Sequence, residues 1–152
     1  MDQRQAFRDL HKTPFIIPNP WDVGSARILA SLGFPALATT SAEFANALGR
    51  HDGDVSREET IAHARLIDGA TTLPVNADLE NGFGQDPAAA AETISQALEA
   101  GIAGSAISMA AQSAIVEAAK ELLETGTHAF WLNALPNAAL VNDALSPNPE
   151  SA

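Results

Sequence analysis

Short apolar runs alternate with helical patterns along most of this chain, and that alternation constrains the fold more than any other feature. "PFIIPN" (Pro14 to Asn19), "PALATT" (Pro35 to Thr40), "LPVNAD" (Leu73 to Asp78) and "IAGSAIS" (Ile102 to Ser108) each read as a short buried strand. Each is followed by an amphipathic stretch. "SARILASLG" ends on Gly33, a glycine placed to close a helix. Ser56 and Glu59 have capping-box spacing ahead of "TIAHARLIDGA". Asp86 and Pro87 form the N-cap and first position of a helix that runs to Ala100, with Gly101 beyond its end. "SAIVEAAKELLETG" (Ser113 to Gly126) follows the fourth strand, and "LPNAALVNDAL" (Leu135 to Leu145) is a last amphipathic piece. A strand-then-helix unit repeated four times predicts an α/β fold in which helices pack on a parallel sheet. No composition break divides the chain, so residues 1–145 are expected to form one domain, with a frayed tail over 146–152.

Composition removes several classes of function. With 46% hydrophobic and 18% charged residues the chain is globular in character. A formal charge of −11 opposes binding to nucleic acid, whose phosphates it would repel, and to anionic membrane surfaces. The sequence has no cysteine, which excludes disulfides, thiolate metal ligands and cysteine nucleophiles from it. The charged opening, "MDQRQAFRDLHK", does not read as a secretory signal, and no apolar run approaches the roughly 20 residues that span a bilayer. The expected location is the cytoplasm.

In parallel α/β folds, ligands bind where the strand-to-helix loops converge at the carboxyl ends of the strands. Those ends carry Asn19, Trp21 and Asp22, then Thr40 and Ser41, then Asp78 and Glu80, and the loop after the second strand adds Asp52. Asp52, Asp78 and Glu80 are hard oxygen ligands suited to Mg²⁺ or Mn²⁺ rather than zinc. A period of two along an extended backbone puts Asp78 and Glu80 on one side; a solvated strand end is the plainer explanation of such a pair. "GFGQDP" begins like a dinucleotide fingerprint, but Pro87 stands at the third glycine position and the preceding acids would repel a pyrophosphate. Gly82 and Gly84 therefore read as turn residues needing positive φ. His11, His63 and His128 read as surface or packing residues, while His51 is a weak candidate for lining the site. Trp21 either walls a pocket or plugs one end of the sheet.

Taken together, "IIPNPWDVGSARILASLGFPALATTSA", "LGRHDGDVSREETIAHARLI" and "LPVNADLENGFG" resemble the isocitrate lyase/phosphoenolpyruvate mutase superfamily, almost continuously from about Phe7 to Gly104. The stretch from Ala106 to Leu145 resembles the end of a full-length member. The resemblance implies a (β/α)₈ TIM-type barrel that binds Mg²⁺ and a small 2-oxo acid or enolate, and that makes or breaks a C–C or P–C bond beside the carbonyl. Asp78 would then be the direct metal ligand, with Glu80 and Asp52 acting through water, and Asp52 and Asp78 are the catalytic candidates. Thr40, Ser41 and Ala42 would bind the substrate carboxylate, largely through backbone N–H groups, with Trp21 beside them.

The sequence also departs from the family pattern. Ser108 and Met109 follow Ile107 where members have an Ile-Glu-Asp run, and the cysteine loop of the lyases is missing. At 152 residues the chain is roughly 100 short of a whole barrel, so a partial barrel lacking its middle-to-late strands is expected. An open sheet edge and the family's habit of reaching across to a neighbour with a segment like Ser113 to Glu124 lead to the expectation of a homo-oligomer. The competing readings are an impaired lyase or mutase, a non-catalytic remnant that binds metal or oxo acid weakly, and an oligomerising fragment.

Overall fold

The computed structural model describes residues 2–84, 86–107 and 131–133. The predicted helix Ser113 to Gly126, the piece Leu135 to Leu145, the tail and His128 lie outside the described residues. The elements are α1 (Gln3–Leu10), α2 (Val23–Ser31), β1 (Leu37–Ala38), α3 (Ser41–Ala47), α4 (Arg57–Asp68), β2 (Val75–Asp78), α5 (Pro87–Glu99), β3 (Gly104–Ala106) and β4 (Trp131–Asn133). The four strands form one sheet in the order β1-β2-β3-β4, and every pairing is parallel. Among the described residues no helix is long and apolar enough to cross a membrane.

Local signals account for most helix ends. Asp22 and Ser25 form a full capping box at the start of α2, and Gly33 follows its end at φ +86°. Ser56 and Glu59 form the predicted capping box of α4. Asp86 caps α5 by accepting from Ala89 N at 2.8 Å, with Pro87 at the first position and Gly101 past the end at φ +97°.

Two helices fall where none is predicted. α1 occupies the charged opening, and α3 begins immediately after the second predicted strand. The first predicted strand is also corrected: residues 14–20 carry no strand, and Ile16 is 74% exposed. Prolines 14, 18 and 20 remove the backbone donors a ladder needs. One backbone bond survives, from Ala38 N to Pro18 O at 3.0 Å. The Asn19 side chain supplies another donor, to Ala38 O at 2.9 Å. The segment lies beside β1 without becoming part of the sheet.

The core sits on the outer face of the sheet. Ala26 of α2, Ile61, Ala64 and Ile67 of α4, and Ala90, Ile94 and Ala97 of α5 pack against Leu37, Val75 and Ala77 of the strands. Alternation along β2 therefore turns Asn76 and Asp78 to the other face. A second, smaller cluster joins Phe7 of α1 to Ala36 and Ala103, with Leu10, Phe15 and Ile17 around it.

Asp68 is a built-in weakness of this frame. It is the last residue of α4, where the partial negative charge of the helix end disfavours an acid. Its Oδ1 is buried without a hydrogen-bond partner, and burial pushes its carboxyl above the ordinary value of 3.8. A raised folded value means that the stability contribution of this group is fully present below about pH 3.8 and is lost as pH rises through the folded value. Asp68→Asn is therefore expected to stabilise the protein at pH 7 by about 0.5 kcal/mol, with the gain shrinking toward pH 4. Thermal melts of both proteins at the two pH values check this, and an Asn variant less stable at pH 7 would contradict it.

Candidate functional site

The carboxyl ends of β1 and β2 are tied together around Asp78. Its backbone N–H donates to Thr39 Oγ1 at 3.0 Å, and Thr39 N donates back to Asn76 O at 2.9 Å. Oδ2 of Asp78 accepts from both the N–H of Ser41 at 3.1 Å and its hydroxyl at 3.0 Å. Oδ1 accepts from Glu80 N at 3.0 Å. Asp78 thus joins the start of α3 to the turn after β2. The expectation for Ser41 is revised in one respect, because its N–H and O–H are already given to Asp78. Thr40 is the N-cap residue of α3, and its hydroxyl donates to Glu43.

Glu80 does not share an extended face with Asp78. β2 stops at Asp78, and Glu80 turns into the left-handed region at φ +51°. Gly82 at +79° and Phe83 at +58° follow in the same turn, and a bulky residue rarely adopts such a backbone. The turn is fixed by Gly82 N donating to Leu79 O at 2.8 Å, Phe83 N to Asn81 Oδ1 at 2.9 Å, and the buried Thr93 hydroxyl to Gly82 O at 2.8 Å. Gly82 has the positive φ predicted for it. Gly84 is a glycine for a different reason: a Cβ there would collide with the Cβ of Ala89.

The turn still brings the acids into one electrostatic neighbourhood. Burial, followed by the negative charges of Asp52 and Asp78, pushes the Glu80 carboxyl above its ordinary value. Glu80 Oε1 is buried and has no hydrogen-bond partner. Asp52 stands on an exposed loop steadied by the Arg50 guanidinium, whose Nη1 lies 2.8 and 2.9 Å from the two oxygens of Glu59. Among the described residues no three acidic or histidine side chains converge into a preformed metal cage. The donor set is nonetheless entirely hard oxygen, crowded with like charge and holding one unpartnered buried acceptor. That chemistry fits a divalent cation that keeps part of its water shell.

The other candidates separate. The Trp21 side chain is 54% exposed, so it plugs nothing, and its carbonyl accepts from His63 Nε2 at 3.0 Å. His63 is buried and stacked on Phe44 with ring centroids 4.0 Å apart, a packing residue whose ionisation burial disfavours. His11 packs edge-on to Phe7 and Phe15. His51 is exposed, and Asp22 is spent on its helix cap. Ala42 is the second residue of α3 and half-buried. Sequence reasoning missed Thr39, although the paired threonines "ATTSA" at a strand end were its signal. It also missed Arg57, which stands at the first position of α4 and half-buried beside the acid turn.

Comparisons with known proteins bear on the family and the fold. The family model for phosphoenolpyruvate phosphomutase matches residues 7–144. An uncharacterized protein of Mycobacterium tuberculosis is 37% identical over 100 residues, covering 64% of this chain and 38% of the relative. The "Probable 2-methylisocitrate lyase 2" of Corynebacterium glutamicum is 33% identical over 106 residues, covering 68% of this chain and 34% of the relative. The solved structure of a "putative lyase/mutase" from Burkholderia cenocepacia J2315 superposes with a TM-score of 0.77 at 42% identity, covering 87% of this chain and 53% of that one. The chain therefore spans little more than a third of the length of these curated relatives. The similar structures are TIM barrels, and the parallel sheet of this chain corresponds to a fragment of one. The match over residues 7–144 makes this chain a member of the phosphoenolpyruvate phosphomutase family, within the isocitrate lyase/phosphoenolpyruvate mutase superfamily.

Proposed function

We propose that the strand ends of this chain form a divalent-cation site, for Mg²⁺ or Mn²⁺, that binds a small 2-oxo carboxylate and stabilises its enolate. The reaction class is lyase or mutase chemistry at the carbon beside the carbonyl, in line with the lyase and mutase names of its relatives. The observation that carries this reading is the buried, unpartnered Oε1 of Glu80, whose carboxyl is pushed up by burial and then by the charges of Asp52 and Asp78. Asp78 is the direct ligand, because Ser41 and the Glu80 amide hold its carboxylate in place and Thr39 accepts from its backbone N–H. Asp52 and Glu80 act through water.

A bound cation would offset the mutual repulsion of the acids and polarise the carbonyl as negative charge develops on its oxygen. The substrate carboxylate lies at the start of α3. There the amides of the first turn lack intrahelical acceptors, and Ser41 has committed its own donors to Asp78. The amide of Ala42 therefore takes the larger share, with Thr40 on one side and the exposed Trp21 indole as an outer wall. Enolate formation can be tested without knowing the bond that is cleaved. Pyruvate in heavy water with Mg²⁺ is expected to lose its methyl proton signal faster with the protein than without it. Exchange no faster than in the protein-free Mg²⁺ solution would contradict the proposal.

A further inference from the structure

The turn that carries Glu80 also holds a reactive pair of residues that the proposed cation site does not use. Asn81 is the only asparagine of the sequence that precedes a glycine. Without a Cβ on the following residue, the next main-chain nitrogen can approach the asparagine side chain unhindered. Asn81 is exposed, and its Oδ1 accepts from Phe83 N at 2.9 Å. That N–H polarises the carboxamide as an oxyanion donor would, so the electrophilic carbon is already activated.

The nucleophile is held back. Gly82 is buried, and its N–H donates to Leu79 O at 2.8 Å. The fully buried Thr93 hydroxyl of α5 shares its proton between Gly82 O at 2.8 Å and Ala89 O at 2.9 Å. Packing tightens the hold, since a Cβ on Gly82 would stand 3.0 Å from the Cβ of Ala90. The backbone works against these contacts. Glu80 and Phe83, neither of them glycine, both sit at positive φ, so opening the turn relieves an unfavourable conformation.

We propose that Asn81 is a self-modification site whose rate is set by the Thr93 latch on the turn. When the turn opens, the Gly82 nitrogen attacks Asn81 Cγ. The Gly82 amide proton and the carboxamide NH₂ leave together as ammonia, and a five-membered succinimide remains. Water opens that ring at the side-chain carbonyl to give aspartate, or at the main-chain carbonyl to give isoaspartate. The net step consumes water, releases ammonia and needs no other reagent. Isoaspartate adds a methylene to the backbone directly after Glu80, and either product adds a carboxylate beside Asp52, Asp78 and Glu80, whose charges already oppose one another. The inference does not depend on the proposed cation.

Peptide mass spectrometry after timed incubation in mildly alkaline buffer reads conversion at each asparagine, with Asn46, which precedes Ala47, as the internal reference. In the chain unfolded by guanidinium chloride, Asn81 is expected to convert faster than Asn46. In the folded protein Asn81 is expected to slow at least about tenfold, because attack then waits on a local opening. Thr93→Val keeps the shape without the hydroxyl and is expected to speed native conversion at Asn81 by about tenfold, with Asn46 unchanged. Thr93→Ser, which keeps the hydroxyl, is expected to convert at the wild-type rate. The folded and unfolded wild-type rates carry the test if the Val variant does not fold. Asn81 converting no faster than Asn46 in the unfolded chain, or equally fast folded and unfolded, would overturn the proposal. A Val variant that speeds both asparagines alike, or neither, would overturn the assignment of Thr93 as the latch.

Discussion

Asp78→Ala is expected to lower Mg²⁺ affinity at least about 100-fold, since even the outer-shell partners of metal ligands are worth 10–100-fold. It would also remove an acceptor from three donors at once: the amide and hydroxyl of Ser41 and the amide of Glu80. These groups are only half-buried, so water replaces part of what is lost, and removal of one acid relieves Glu80. The net cost in stability is expected to be about 1–2 kcal/mol. Asp78→Asn separates the two effects. It keeps the shape and an accepting oxygen for Ser41 but turns its NH₂ toward the Glu80 N–H, so it should lose less stability than the Ala variant and still bind Mg²⁺ poorly. Calorimetry and thermal melts on the three proteins check both statements. An Asn variant with wild-type Mg²⁺ affinity would remove Asp78 from the site.

The second large effect is expected in the opposite part of the sheet. A Cβ placed on Gly104 would stand 2.5 Å from Phe7 Cε1 and 3.0 Å from both Phe7 Cδ1 and Asn76 Oδ1. Phe7 is 1% exposed and wedged among Ala36, Ala103 and the flanking Leu10, Phe15 and Ile17, so its ring has nowhere to retreat. Overpacking of this kind costs about 1–3 kcal/mol. The better strand propensity of alanine recovers only about 0.5–1 kcal/mol. Gly104→Ala is expected to lower the melting temperature by about 3–8 °C. Phe7→Leu should restore much of this in the double variant, because the two residues share one space. Additive losses in the double-mutant cycle would show that the clash is not the cause.

The parts of this fold that were legible in the sequence are those fixed by neighbours in the chain. The caps at Ser56 with Glu59 and at Asp86 with Pro87, the strand ending at Asp78, the strand within Ile102 to Ser108, and the closing glycines 33 and 101 are all local chemistry. The segment over 14–20 misled because "FII" has strand composition, whereas its prolines withhold the donors that a sheet position requires. α1 was hidden because one buried residue, Phe7, anchors an otherwise polar helix. α3 has seven residues, too few for a period to show. In the site, residue types were readable and geometry was not. Asp78 and Glu80 looked like neighbours on one face of a strand, yet a left-handed turn sets the position of Glu80. Thr39 and Arg57 matter through contacts 26 to 39 residues away along the chain, which no local pattern reports.

The central claim is that the acids at the end of β2 hold a divalent cation while leaving room for substrate oxygens. Mn²⁺ offers the most direct measurement, because bound to a slowly tumbling protein it speeds the relaxation of the water protons that it exchanges with solvent. Titrating the protein into Mn²⁺ is expected to enhance water relaxation. Adding oxalate, a planar dianion shaped like pyruvate enolate, should lower that enhancement as it displaces waters, and Asp78→Asn should show neither effect. Water relaxation indistinguishable from that of Mn²⁺ in buffer, or an enhancement equally strong in Asp78→Asn, would contradict the account.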